Sequence, residues 1–198
     1  MRLIYFDFAG RGEAIRDALR LGHVEFTDER VSYPEFLRMR TTGELPFDTL
    51  PVLVLDDGFV LGQSNTILRW AGRRAGLEPT QANDALRVDA LLDLTEDFGG
   101  RVSVSIRVTD EAVRAHLRAE LASRWLPEWL RHLERSLANA GEGWLVGSSL
   151  TVADLKVVHL LDKVINGSLS GLPTTLLDGF PTLVLWRDRV HAQRVPPI

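Results

Sequence analysis

The stretch Leu45–Ala71, LPFDTLPVLVLDDGFVLGQSNTILRWA, organises the rest of this chain. An extended segment ends at Pro51, and the apolar run Val52–Leu55 predicts a strand. Asp57-Gly58 predicts a two-residue hairpin turn, because glycine takes positive φ without penalty. A second strand over Phe59–Leu61 should therefore pair antiparallel with the first.

The same stretch continues into a helix. Gln63-Ser64-Asn65 opens it, with Ser64 where backbone N–H groups lack intrahelical partners. A proline beside a strand, a hairpin and an exposed helix N-terminus can together hold an extended peptide at one end and its carboxylate at the other.

The residues before this stretch alternate between strand and helix patterns. The predicted elements are a strand over Arg2–Phe8, a turn over Ala9–Gly12, a helix over Glu13–Gly22, a strand over Val24–Val31 and a short helix over Pro34–Arg40. Helical crossovers make the first two strands parallel, so a small mixed sheet with helices packed on it follows.

Strand signals stop after Gly72. The predicted helices are Gln81–Phe98, Asp110–Asn139, Val152–Ile165 and Thr182–His191, with Arg101–Val108 as a helix end and connecting loop. A boundary between Leu77 and Ala82 then separates an α/β domain from an all-α domain.

Composition excludes several classes of function. The net charge of −4 argues against nucleic acid as a partner. The absence of cysteine excludes disulfides, thiolate metal sites and a cysteine nucleophile. The sequence contains no run of about 18 apolar residues, so it predicts no membrane-spanning helix. Its first apolar run is too short for a signal peptide. We therefore expect a cytoplasmic protein without membrane insertion.

Thr151-Val-Ala-Asp154 has the spacing of a capping box at a helix start. Leu150 and Leu155 stand at the positions of a hydrophobic staple around it. We interpret the motif as structural, with a loss of about 1 kcal/mol or more if Asp154 is removed.

Four carboxylates, from Asp89, Asp93, Glu96 and Asp97, lie at helical spacing on one face. The face could simply be solvated, could bind a divalent cation, or could meet a positively charged group, because like charges this close repel.

Several short motifs occur in a characteristic order. These are Tyr5-Phe6 followed by Gly10-Arg11-Gly12-Glu13, Leu45-Pro46-Phe47 running to Leu50-Pro51, Gln63-Ser64 before a helix, and Ser149–Asp154. In this order and spacing the chain resembles the cytosolic glutathione transferases over essentially its full length. The context of Tyr5 and the helix from Val88 to Phe98 are most similar to the sigma class, which includes glutathione-dependent prostaglandin D synthases.

The resemblance implies a glutathione transferase fold. A thioredoxin-like α/β domain over residues 1–77 would bind glutathione. An all-α domain over residues 82–198 would contribute the electrophile pocket and the interface of a homodimer.

The resemblance also implies where glutathione binds. Pro51 matches a cis-proline that lets the Leu50 backbone pair with the cysteinyl backbone of glutathione. Gln63 and Ser64 match residues that hold the γ-glutamyl carboxylate. Asp97 matches an acid that reaches the γ-glutamyl amino group bound in the neighbouring subunit.

Three positions depart from the family at the glycyl end of glutathione. Phe36 and Arg40 occupy the positions of a Trp and a Lys in the family, and Thr49 occupies the position of a further lysine. Tyr33 is a weaker match to that Trp. Phe36 cannot donate the hydrogen bond of an indole, whereas Arg40 keeps the charge.

Tyr5 and Arg11 match the catalytic positions. The Tyr5 hydroxyl would donate a hydrogen bond to the glutathione sulfur and favour its thiolate, with Arg11 supporting the charge. Asp93, Glu96 and Asp97 match an acidic interface site that holds a divalent cation in some relatives.

The electrophile pocket is expected between the first loop and the second domain, with the C-terminal tail nearby. Its candidate lining residues are Phe8, Gly10, Arg101 and Ser105.

Three functions follow from this resemblance. The first is conjugation of glutathione to small hydrophobic electrophiles, in detoxification. The second is isomerisation of a prostaglandin-type endoperoxide with glutathione regenerated. The third is a non-catalytic, crystallin-like role, against which the joint presence of Tyr5, Arg11, Gln63, Ser64 and Asp97 argues.

Overall fold

The computed structural model describes residues 1–194. The chain divides into two units, one of Met1–Glu78 with Arg194 and the other of Pro79–Gln193. We refer to them as unit 1 and unit 2.

Unit 1 contains a four-stranded mixed sheet in the order β2-β1-β3-β4. The strands are β1 (Arg2–Phe6), β2 (Thr27–Val31), β3 (Val52–Val54) and β4 (Val60–Leu61). Strands β1 and β2 are parallel, whereas β3 pairs antiparallel with both β1 and β4. The predicted mixed sheet is therefore confirmed, with shorter strands than the sequence pattern indicated.

The hairpin between β3 and β4 has a longer turn than predicted. The Gly58 N–H donates to Leu55 O at 3.0 Å, and the Leu55 N–H donates to Phe59 O at 2.9 Å. Asp56, Asp57 and Gly58 therefore form a three-residue loop, with Gly58 at a φ of 84°. This is the three-residue class of hairpin loop, in which a glycine with positive φ follows a turn, so the two-residue prediction was wrong by one residue.

Three helices pack with this sheet: α1 (Glu13–Leu21), α2 (Tyr33–Thr41) and α3 (Ser64–Ala75). Helix α1 ends at Gly22, as predicted. A Cβ on Gly22 would lie 2.5 Å from Ala75, so a glycine lets α1 approach α3 closely. The core of unit 1 includes fully buried Leu3, Ile15, Leu19, Leu53 and Ile67.

Unit 2 is helical. Its helices are α4 (Ala82–Arg107), α5 (Glu111–Glu120), α6 (Leu126–Ala140), α7 (Val152–Ile165) and α8 (Pro181–Gln193). The bounds of α7 match the prediction, and no helix within residues 1–194 is long and apolar enough to cross a membrane.

Helix α4 continues well beyond Phe98, where the sequence pattern ended it. Gly99 and Gly100 lie inside the helix, and Phe98, Val102 and Ser105 are all buried at helical spacing. The Phe98 ring also stacks on Trp129, with the ring centroids 4.5 Å apart. This packing offsets the low helix propensity of glycine. Of the predicted helix end and connecting loop over 101–108, the helix end is present, since α4 ends at Arg107, but the loop was wrong because residues 101–107 are helical.

The region predicted as one helix over Asp110–Asn139 is interrupted by a π-helical turn at Leu121–Trp125. The Leu126 N–H donates to Leu121 O, five residues back. Pro127 follows directly and cannot donate a helical hydrogen bond, which accounts for the local change in winding.

The predicted capping box at Thr151 is present. Asp154 is completely buried and accepts four hydrogen bonds: from the backbone N–H of Thr151 and Leu145, from the Thr151 hydroxyl, and from Trp186 Nε1. Burial raises the pKa of Asp154, while these four donors act to lower it. The carboxylate therefore ties α7 to α8 and to the loop before α7, which is more than a cap.

Candidate active site

Tyr5 lies in β1 and is 5% exposed. Its hydroxyl oxygen accepts a hydrogen bond from the Arg11 backbone N–H at 3.0 Å. Burial raises the pKa of the hydroxyl above its ordinary value of 10.0, although the Arg11 N–H and the charges of Arg11 and Arg16 act in the opposite direction. The hydroxyl is thus neutral at physiological pH, and it retains a proton that it can donate.

Glycines bring the backbone close to this hydroxyl. Gly10 has a φ of 43°, and a Cβ there would lie 2.5 Å from Tyr5 Oη and 2.7 Å from Phe8. A Cβ on Gly12 would lie 2.6 Å from the Tyr5 ring. The segment of residues 7–12 therefore surrounds Tyr5 at a distance that side chains would prevent.

An open groove of about 440 Å³ begins beside this segment. It is lined by Phe6, Asp7, Phe8, Val31 and Tyr33. Phe8 is exposed and meets the Tyr5 ring edge to face, with centroids 5.5 Å apart. Unit 1 thus brings together the predicted Tyr5, Phe8, Gly10 and Arg11.

The Leu50-Pro51 peptide bond is cis, as the resemblance implied. The segment before it contains Phe47 and Asp48 with φ of 58° and 53°, which the sequence pattern did not predict. Thr49 is exposed and Pro51 is buried.

Helix α3 begins at Ser64, with Gln63 preceding it. Gln63 is exposed and has a φ of 69°. Positive φ is uncommon and costly for a residue with a side chain, and such strain occurs at ligand-binding positions. Ser64 is 7% exposed at the first helical position, where backbone N–H groups have no intrahelical acceptor.

Phe36 was predicted to take the place of the family's Trp at the glycyl end of glutathione, which requires an accessible ring, but its ring is partly buried. It packs against the core of Ile4, Val31, Met39, Leu45 and Val52. Tyr33, on the same helix, is 64% exposed and has a hydroxyl that can donate. The structure therefore favours Tyr33 over Phe36 as the aromatic residue available to a ligand. Arg40 is exposed, as its predicted role requires.

In unit 2, Arg101 is exposed, and its Cζ lies 3.6 Å from the ring centroid of Trp125. Both side chains line a small groove of about 170 Å³. Ser105 is completely buried, and its hydroxyl donates to Val102 O at 2.8 Å within α4. Ser105 therefore has no exposed atom for a ligand, unlike Arg101.

The acidic face of α4 meets a positive charge. Lys156 is buried, and its Nζ lies 3.2 Å from Glu96 Oε2. Asp93 and Asp97 are exposed. Within residues 1–194, no group of three or more His, Asp or Glu side chains could hold a metal ion, so the predicted cation site at Asp93, Glu96 and Asp97 is not supported. The positive charge of Lys156 compensates the negative charge of Glu96.

Comparison with known families gives one matching domain. Residues 96–195 match the family model described as the glutathione S-transferase C-terminal domain. A probable glutathione S-transferase 8 of Caenorhabditis elegans is 30% identical over 194 residues, covering 96% of this chain and 90% of the relative.

Relatives with a different named activity are almost as similar. The human hematopoietic prostaglandin D synthase is 29% identical over 191 residues, covering 96% of this chain and 90% of the relative. The structure of the prostaglandin synthase D of Nilaparvata lugens superimposes with a TM-score of 0.85 at 27% identity, covering 96% of this chain and 92% of that one. The chain belongs to the glutathione S-transferase family.

Proposed function

We propose that the protein is a glutathione transferase that conjugates glutathione to small hydrophobic electrophiles. The observation that carries the proposal is the Tyr5 hydroxyl, whose oxygen already accepts from the Arg11 N–H at 3.0 Å. With that oxygen engaged, the phenolic proton is available to a sulfur atom bound beside the hydroxyl. The family membership described above supplies the identity of the thiol.

The chemistry requires glutathione as thiolate, because the thiol is a poor nucleophile. A free thiol with a pKa of about 8.5 is only a few per cent ionised at neutral pH. A neutral tyrosine donor favours the charged form of the sulfur, and burial keeps Tyr5 protonated for that task. The Arg11 charge is close enough to lower the Tyr5 pKa, so the same positive field would stabilise a thiolate there.

The segment around Pro51 and the start of α3 would hold the tripeptide. Leu50 would pair its backbone with the cysteinyl residue, and Gln63 and Ser64 would bind the γ-glutamyl carboxylate at the α3 N-terminus. The strained backbone of Gln63 supports this assignment. At the glycyl end, exposed Arg40 is proposed as the carboxylate partner, with Tyr33 beside it and Thr49 on the preceding segment.

The domain roles extend the same proposal. Residues 1–77 would bind glutathione, and residues 82–198, of which the last four lie outside the described part, would help to form the electrophile pocket. Phe8, Gly10 and Arg101 are its proposed lining residues. Any contribution of the C-terminal tail also falls outside the described residues.

We further propose a cytoplasmic homodimer that serves detoxification. In it, Asp97 would reach the γ-glutamyl amino group of glutathione bound in the partner. Asp97 is exposed on α4, which is consistent with that reach. A monomer that binds glutathione normally would refute the assignment of Asp97.

Prostaglandin-type isomerisation is the second candidate, because a named prostaglandin D synthase is 29% identical to this chain. Glutathione is regenerated in such a reaction, whereas conjugation consumes it.

Two measurements test the proposal. Purified protein is passed over immobilised glutathione and then incubated with glutathione and chlorodinitrobenzene, with free thiol and thioether product quantified. Retention with loss of thiol is expected. Failure to bind glutathione would overturn both enzymatic candidates, and binding without any turnover would favour a non-catalytic role.

A further inference from the structure

The side chain of Arg16, on α1, is completely buried beside Tyr5. Its Cζ lies 5.6 Å from the centroid of the Tyr5 ring. That distance is within the range of about 6 Å over which a guanidinium interacts with an aromatic face. A buried charge is costly unless it is paired. The Arg16 guanidinium makes four hydrogen bonds that offset this cost.

The guanidinium donates to two carbonyl groups of the segment that follows Tyr5. Nη2 lies 3.3 Å from Phe6 O, and Nη1 lies 3.2 Å from Phe8 O. One side chain therefore holds both ends of a three-residue segment. That segment leads directly to Gly10 and to Arg11, whose N–H donates to the Tyr5 hydroxyl.

Two carboxylates fix the guanidinium in this orientation. Nε donates to Asp28 Oδ1 and Nη1 donates to Glu13 Oε2, each at 2.9 Å. Burial acts to raise the pKa of Asp28, but hydrogen bonds from Arg30 and Arg16 outweigh it and hold the pKa below its ordinary value. The Asp28 carboxylate is thus charged at neutral pH and orients the planar fork of Arg16.

We propose that Arg16 is a positioning residue for thiolate formation. It holds the Phe6–Phe8 segment so that the Arg11 N–H meets the Tyr5 oxygen, which leaves the Tyr5 proton for the sulfur. Arg16 has no exposed surface, so it acts on glutathione only through Tyr5 and this segment. The inference rests on the proposed function of Tyr5.

A purely structural role for Arg16 predicts a different outcome. In that case its loss lowers the free energy of unfolding but leaves the ionisation of bound glutathione unchanged in the molecules that fold. The decisive quantity is therefore the pKa of the bound glutathione thiol, which is read from the ultraviolet absorbance of the thiolate as pH is varied.

Arg16→Lys is the primary variant, because it keeps the charge but cannot reproduce the fork that reaches two carbonyls and two carboxylates. We expect the pKa of bound glutathione to rise by about half a unit or more, which corresponds to about threefold less thiolate below that pKa. At a pH below that pKa, the kcat with chlorodinitrobenzene should fall by about the same factor. The KM for glutathione should change by less than about twofold, because Arg16 does not touch it.

Arg2→Lys is the matched control. Arg2 is also an arginine of unit 1 paired with a carboxylate, since its Nη1 donates to Glu29 Oε2 at 2.6 Å, but it has no hydrogen bond to the Phe6–Phe8 segment or to Asp28 among the described residues. This variant should leave the bound thiol pKa as in the wild type.

A second comparison places Arg16→Lys in a Tyr5→Phe background. If Arg16 acts through Tyr5, the two changes are not additive, and the double variant has the same thiol pKa as Tyr5→Phe alone. If Arg16→Lys does not fold, Asp28→Ala, which removes the acceptor of Arg16 Nε, should raise the thiol pKa in the same direction.

The outcomes separate the two claims. A thiol pKa that Arg16→Lys, or Asp28→Ala in its place, leaves unchanged overturns this inference while the proposed function stands. Additive effects in the double variant also overturn it. A wild-type protein that binds glutathione without lowering its thiol pKa overturns the proposed function of Tyr5 and this inference with it.

Discussion

The backbone N–H of Arg11 donates a hydrogen bond to the hydroxyl oxygen of Tyr5 at 3.0 Å. A phenolic hydroxyl has one proton, so an oxygen that already accepts is left with that proton as its means of contacting an anion. Burial raises the pKa of Tyr5, which keeps the proton in place at the pH where the thiol must ionise. Because the Arg11 N–H occupies the hydroxyl oxygen as an acceptor, the Tyr5 hydroxyl is left to act as a hydrogen-bond donor.

Replacing Tyr5 by Phe removes the donor and keeps the ring. Turnover with chlorodinitrobenzene should fall at least about tenfold at neutral pH, since the sulfur loses its stabilising hydrogen bond. Tyr33→Phe removes the chain's other tyrosine hydroxyl, which is proposed to contact the glycyl end of glutathione, so it should raise the KM for glutathione and leave the kcat within about twofold of the wild type. Unchanged turnover in Tyr5→Phe would remove Tyr5 from the mechanism.

Gly10→Ala should disturb the hydroxyl directly. The new Cβ would lie 2.5 Å from Tyr5 Oη on a backbone with a φ of 43°. We expect turnover to fall about tenfold or more, because a displacement of about 1 Å at a catalytic group has effects of that size or larger.

Gly43→Ala provides the control for the backbone strain in Gly10→Ala. Gly43 also has positive φ, of 72°, but a Cβ there would have no atom of residues 1–194 within 4 Å apart from those of Gly43 and its two chain neighbours. Both variants should lose about 1 kcal/mol of stability from positive φ, whereas only Gly10→Ala should lose activity. Equal kinetics in the two variants would contradict the account.

We expect the Gln63 side chain to contribute to glutathione binding and its backbone conformation to lower the stability of the folded protein. Gln63→Ala and Gln63→Gly both remove the carboxamide, so each should raise the KM for glutathione. The glycine variant relieves the φ of 69° and should be more stable than the alanine variant by about 1 kcal/mol, as measured by urea unfolding. Identical stabilities would show that the backbone at Gln63 is not strained, and an unchanged KM would exclude its side chain from binding.

Asp154→Ala should be strongly destabilising. Four buried donors lose their acceptor, so we expect a loss of about 3–5 kcal/mol in the free energy of unfolding. Asp162→Ala on the same helix is the matched control. Asp162 is partly exposed and pairs with Arg187 at 2.7 Å, so its loss should cost about 1 kcal/mol or less. Similar losses in the two variants would contradict the central structural role of Asp154.

Local patterns in the sequence were sufficient to predict the sheet, helix α7 and the capping box. These features depend on residues close in the chain, such as Thr151 and Asp154 at helical spacing. The extension of α4 through Gly99-Gly100 was not predictable, because it depends on packing such as that of Phe98 on Trp129. Tertiary contacts overrode local propensity there.

In the candidate site, too, features set by local sequence were predictable and features set by tertiary packing were not. The Tyr5 and Pro51 motifs were recognisable from short spacings, and the cis bond at Pro51 is present. The partial burial of Phe36 and the exposure of Tyr33 depend on how α2 packs on the sheet, which local sequence does not specify. Lys156 opposite Glu96 is separated from it by 60 residues, so no local pattern could indicate the pair.

The most direct test of the central claim is the pKa of glutathione bound to the wild type and to Tyr5→Phe, measured from thiolate absorbance between mildly acidic and mildly basic pH. We predict a bound pKa about two units below the free value of about 8.5 in the wild type, or roughly 2.7 kcal/mol of preference for the thiolate. In Tyr5→Phe the bound pKa should return most of the way to the free value. An equal depression in both proteins would contradict the assignment of Tyr5 as the donor that stabilises the thiolate.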